Sequence, residues 1–75
     1  MNKLDYRKTV RSDGFTQIVR RDPETHKYQR WTSDRPEWFT HVDDPGVFIG
    51  FTDFIWHDIL EEEAFETIAQ FIRQQ

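Results

Sequence analysis

Hydrophobic and polar positions alternate along the first third of the chain and then change period. In Leu4-Asp5-Tyr6-Arg7-Lys8-Thr9-Val10-Arg11, Leu4, Tyr6 and Val10 fall on one side and Asp5, Arg7, Thr9 and Arg11 on the other. A period of two predicts a strand with one wet face. Ser12-Asp13-Gly14 follows and reads as a short hairpin loop, because Asp bonds nearby backbone and Gly accepts positive φ. Phe15-Thr16-Gln17-Ile18-Val19-Arg20-Arg21 reads as a second strand, rich in β-branched residues. Its adjacent Ile18 and Val19 break the alternation, which points to a bulge or to burial on both faces.

Asp22-Pro23-Glu24-Thr25 has the chemistry of a type I turn, with Asp at the first position and Pro presetting φ at the second. A third strand is expected at His26–Trp31, its inward face left open because Tyr28 and Trp31 are three apart. Residues 32–46 carry the turn formers Ser33, Asp34, Pro36, Asp43, Asp44, Pro45 and Gly46 and read as a long loop. A loop of this length tends to hide a short element, and a strand or helical turn near Glu37–Val42 fits. Residues 47–51, Val-Phe-Ile-Gly-Phe, read as a buried strand.

From about residue 53 the period becomes helical. Ile55, Ile59, Phe65, Ile68, Ala69 and Ile72 fall near one face, with Thr52 or Asp53 as the cap. Glu61-Glu62-Glu63 interrupts this stripe, so a second arrangement is a short turn and then a helix starting near Asp58. The fold class expected is α+β: a single small domain over residues 1–75, with hairpins over 4–31, the long loop 32–46, the strand 47–51 and a C-terminal helix over about 53–73. Its sheet is a three- to four-stranded antiparallel meander, with the helix packed on one face.

Composition narrows the functional classes. The chain has 75 residues, no cysteine and 16% aromatic residues. A disulfide framework and thiolate chemistry are thereby excluded. Rings compensate for scarce aliphatics, since each buries roughly 150–250 Å². So small a core leaves a thin margin of stability, and a partner or self-association into a homo-oligomer is expected to add to it. Neither an apolar leader nor a membrane-length apolar run is present, which points to a cytoplasmic protein.

Charge is unevenly placed. The net charge of −4 divides into nine bases against five acids over residues 1–36 and one base against nine acids over residues 37–75. A split of this kind suggests a polarised partner surface, or two halves that attract each other within the fold.

These residues bear on four chemistries. For a metal, Asp53, His57 and Glu61 recur every four residues, with His41, Asp43 and Asp44 in the preceding loop, but no recognised ligand motif is present and no metal or other cofactor is expected. For catalysis, Ser12 and Ser33 sit in turn sequences, no G-x-S-x-G or phosphate-binding glycine motif occurs, and a chain this short leaves little room for even a ~300 Å³ pocket, so an enzyme is not expected. For nucleic acid, Arg7, Lys8, Arg20, Arg21, Lys27 and Arg30, interleaved with rings, form the candidate basic hairpin face. The preferred expectation is a non-enzymatic protein-interaction module, a small regulator or inhibitor. It would meet a basic partner surface through Trp38, Phe39, Trp56, Asp58, Glu61, Glu62, Glu63 and Glu66.

Overall fold

A computed structural model describes residues 4–35, 37–41 and 54–73. It contains strands β1 (Asp5–Val10), β2 (Thr16–Arg21), β3 (Tyr28–Thr32), β4 (Trp38–His41) and β5 (His57–Ile59), followed by helix α1 (Glu61–Arg73). The strands form one antiparallel sheet in the order β4-β3-β2-β1-β5. The architecture is α+β, as expected, with two more short strands than the three hairpin strands read from the sequence. One is β4, inside the expected loop 32–46. The other is β5, inside the expected helix. The strand expected over 47–51 lies outside the described residues.

Local chemistry accounts for the two hairpin turns. At the first, Gly14 has φ +94°, and Asp13 Oδ1 accepts the Phe15 N–H at 3.0 Å. The Arg11 guanidinium grips the same carboxylate through Nε at 2.9 Å and Nη2 at 2.7 Å. This hydrogen-bonded grip and the Phe15 N–H hold the Asp13 carboxyl down to about 2. At the second turn, Asp22 Oδ1 accepts the Glu24 N–H, and the Asp22 N–H bonds the Lys27 carbonyl. His26 closes that loop in the left-handed region at φ 58°, where His is better tolerated than most side chains.

Register fixes which residues share a face. On the helix side, one row runs Lys8, Ile18, Trp31, Trp38, and the next runs Ile59, Tyr6, Arg20, Gln29, Thr40. Tyr6, Ile18 and Trp31 from these rows form the buried core with Ala64, and Leu4, Trp38, Ile59, Ile68 and Phe71 pack around it. Ile18 and Val19 are both fully buried, so the break in alternation marks burial on both faces rather than a bulge. Trp31 faces the helix and Tyr28 the opposite side; both are buried. The face away from the helix is not simply wet. It carries buried Thr9, Gln17, Val19, Tyr28 and Thr32. Val10, expected inside, is exposed at the hairpin end of β1.

The helix begins at Glu61, nearer the second arrangement, a helix starting near Asp58, than one starting near residue 53. Leu60 is its cap residue, because the Leu60 carbonyl accepts the Ala64 N–H at 3.1 Å. Leu60 has no side-chain acceptor to cap the first turn. Glu61, Glu62 and Glu63 instead place negative charge at the positive end of the helix dipole. Strand pairing with β1 explains why 57–59 is extended, with His57 opposite Lys8, Asp58 opposite Arg7 and Ile59 opposite Tyr6. The buried helical stripe is centred on Ala64, flanked by Ile68 and Phe71. Ile55 and Ile72, assigned to that stripe from sequence, are 76% and 59% exposed.

Two outcomes follow for stability. Ala64 has no exposed surface, and an Ala64→Leu substitution should overpack the helix–sheet contact by about 1–3 kcal/mol, read as a lower urea midpoint. Asp13 carries a depressed folded-state value, so its contribution is full above the ordinary 3.8 and is lost as pH falls toward about 2. An NMR titration should place its midpoint near that lower value, and Asp13→Asn should remove the corresponding acid sensitivity.

Candidate functional site

Three of the eight residues assigned to a partner surface meet around one cleft. Asp58 from β5 and Glu61 and Glu62 from the first turn of α1 line an open cleft of about 610 Å³, together with Leu4, Asp5, Tyr6, Arg7, Arg21, Ile59 and Leu60. The short chain thus makes a concave surface after all, by leaving an open notch between the strand ends and the helix start rather than an enclosed cavity. Leu4, Ile59 and Leu60 supply apolar surface, and Leu60 is 73% exposed.

The charges around this cleft are unequally compensated. Asp58 Oδ1 accepts from Arg7 Nε at 2.9 Å, and Asp5 Oδ2 accepts from Arg21 Nη2 at 2.8 Å. Glu61 Oε1 accepts from the buried Tyr6 hydroxyl at 3.3 Å. Burial pushes the Tyr6 hydroxyl above its ordinary value, and the Glu61 carboxylate pushes the same way against Arg20. Glu62 has no ion pair or side-chain hydrogen bond among the described residues. The rim is therefore acidic beyond what Arg7 and Arg21 offset.

An apolar strip on α1 adjoins the cleft. The Phe65 ring meets Tyr6 edge-on, with centroids 6.1 Å apart, and stays 44% exposed. At about 100° per residue, Ile72 lies within about 20° of Phe65 around the helix, two turns on. Glu62 and Glu66 are exposed on the neighbouring outward face. Glu63 points to the sheet instead and pairs with Lys8 at 3.2 Å.

The remaining assigned residues lie elsewhere. Trp38 and Phe39 are consecutive in β4, so they project to opposite faces. Trp38 packs against the core with the Arg20 guanidinium 3.8 Å over its ring, while Phe39 lies across from Arg30 with Arg35 above it. Trp56 is half-buried against Phe54, and its buried Nε1 has no acceptor among the described residues. Strand alternation missed in reading residues 32–46 as loop would have separated Trp38 from Phe39. Tyr6, Leu60 and Phe65 were not assigned to the site, because their position depends on β5 returning to β1.

The basic hairpin set is also divided. Arg7, Arg21 and Arg30 lie on the face away from α1, Lys8 and Arg20 on the helix face, and Lys27 in the second turn. They do not make one ribbon face. The helical ligand column does not form either, since His57 is in β5 and Glu61 opens α1. Asp43, Asp44 and Asp53 lie outside the described residues, and no group of three potential ligands gathers among the described ones. No described helix is long and apolar enough to cross a membrane. Comparison with known protein families, with curated proteins and with solved structures finds no match to this chain.

The two tryptophans should respond differently to substitution. Trp56→Phe is expected to stay within ~1 kcal/mol of the parent in urea unfolding, because it removes a buried donor that has no acceptor among the described residues. Trp38→Ala should cost about 3–5 kcal/mol through lost packing and the lost Arg20 stack.

Proposed function

We propose that the protein is a small non-enzymatic interaction module, acting as a regulator or inhibitor of a partner with a basic surface. The observation that carries this reading is the acid-rimmed cleft at the start of α1, continuous through Tyr6 and Phe65 with an exposed apolar strip on the helix. Apolar surface ringed by like charge suits a partner that presents an apolar anchor flanked by Lys or Arg. Phe65, Leu60 and Ile72 are the anchoring groups, and Glu62 and Glu66 set the sign of charge the partner must carry. Glu61 and Glu63 hold the helix to β1 through Tyr6 and Lys8, so they contribute to the fold as well as to the rim. The long-range field of these acids favours fast encounter with a basic surface and weakens with salt.

Affinity capture from the native host, with mass-spectrometric identification, tests this reading when run beside charge and anchor variants. Glu66→Lys with Glu62→Gln, and separately Phe65→Ser, should stay folded, with unfolding midpoints lowered only modestly by the lost helix-dipole charge or Tyr6 contact, and lose the captured protein. Capture that is insensitive to both variants, or insensitive to salt, would count against this surface.

A further inference from the structure

A second cleft lies at the same end of the β1–β2 pair, across Leu4 from the first, and its chemistry is of opposite sign. It has a volume of about 320 Å³ and is lined by Leu4, Arg20, Asp22, Thr25, Lys27, Gln29 and Thr40. No residue of α1 lines it. It forms where the lower row of the helix-side face, Arg20-Gln29-Thr40, meets the turn between β2 and β3. Its size falls at the lower end of small-ligand sites, roughly 300–1,000 Å³.

Four basic residues of the described chain are neutralised by carboxylates: Arg7 by Asp58, Lys8 by Glu63, Arg11 by Asp13 and Arg21 by Asp5. Arg20 and Lys27 have no such ion pair among the described residues, and both line this cleft. The Arg20 side chain is also held in place. Its Nε donates to Gln29 Oε1 at 2.7 Å, and its guanidinium stacks at 3.8 Å over the Trp38 ring. A guanidinium fixed in this way loses little side-chain entropy when it takes up a ligand. Polarity continues along the row, because Gln29 Nε2 donates to Thr40 Oγ1 at 3.4 Å. The Thr40 hydroxyl hydrogen is then left to donate outward. The only carboxylate in the lining is Asp22, and its Oδ1 faces the backbone N–H groups of Glu24 and Thr25 in the turn. Those backbone donors, with the Thr25 hydroxyl and the nearby Lys27 charge, hold the Asp22 carboxyl below its ordinary value.

We propose that this cleft binds the phosphate group of a small phosphomonoester, with Arg20 and Lys27 as its cationic ligands, Thr40 as a hydroxyl donor and Leu4 as an apolar wall. A monoester carries about −1.5 to −2 charge near neutral pH, which matches two cations better than a carboxylate or a phosphodiester does. The guanidinium supplies directional donors and the ammonium a mobile point charge, a pairing suited to a tetrahedral group of oxygens. The site shares only Leu4 with the acidic cleft, and none of Arg20, Lys27 and Thr40 lines that cleft.

Inorganic phosphate, titrated against an ionic-strength-matched chloride control and followed by NMR of the Arg20 Nε–H and the Lys27 and Thr40 amides, tests the proposal. Saturable shifts confined to the cleft are expected. Lys27→Gln, at an exposed turn position, should weaken binding at least about tenfold, the loss of one charge-assisted hydrogen bond. Arg20→Gln should abolish it, with unfolding measured alongside because Arg20 also covers Trp38. Arg73→Gln, at the far end of α1, should leave binding unchanged. The proposal is overturned if the shifts do not saturate beyond the chloride control, or if Arg73→Gln weakens binding as much as Lys27→Gln. It is equally overturned if a single-stranded oligonucleotide saturates these residues while phosphate does not, which would make the cleft part of a nucleic-acid surface.

Discussion

Everything else in the molecule depends on how β1 is enclosed. One edge of β1 pairs with β2, formed immediately after it in sequence, and the other with β5, about fifty residues later. One face of the same strand supports α1, through Tyr6 against Phe65 and Glu61 and through Lys8 against Glu63. The ion pairs contribute little energy individually, because exposed pairs are worth roughly 0–1 kcal/mol. Their greater effect is on register. A slip of one residue would turn Arg7 away from Asp58 and Tyr6 out of the core together. Packing of Tyr6, Ile18, Trp31 and Ala64 supplies the cohesion, and the charged pairs choose among alignments.

This arrangement also accounts for the division of charge along the sequence. Arg7–Asp58 and Lys8–Glu63 join the basic first half to the acidic second half within one fold. The attraction does not consume all the charge. Glu62 and Glu66 remain outward on the helix, while Arg20 and Lys27 remain at the neighbouring second cleft. Leu4 lines both clefts, so one apolar residue separates an acid-rimmed surface from a cationic one. A partner surface and a small anionic ligand are therefore compatible on the same short chain.

The two hairpins were legible in the sequence because their determinants are local. Asp13-Gly14 and Asp22-Pro23 specify turns within a few residues, and the adjacent Ile18 and Val19 narrow β2 to a bulge or burial on both faces, of which the structure has the second. β5 was not legible, since a three-residue strand gains its identity from β1 rather than from its own pattern. Mistaking it for helix moved the helix start by several residues and placed Ile72 inside. Ala64 carries little hydrophobic weight in a sequence pattern, yet its small side chain is what lets α1 approach the sheet. The acidic members of the site were legible where they are close in sequence, as Asp58, Glu61 and Glu62 are. Trp38, Phe39 and the basic residues were grouped by proximity in sequence, and strand alternation distributes them over both faces.

The late return of β5 bears on how the chain reaches this structure. β1, β2 and β3 are joined by short turns and need only brief loop closures, which proceed quickly. Until residues 57–59 arrive, the outer edge of β1 has its backbone donors and acceptors open, and Tyr6 lacks its helix cover. An edge of that kind is a template for strand addition by another chain. During synthesis the segment through β5 must leave the ribosome before this edge can close. The interval between hairpin formation and β5 docking is thus the period in which the protein is most exposed to intermolecular misassembly, and a chaperone that shields strand edges would act there.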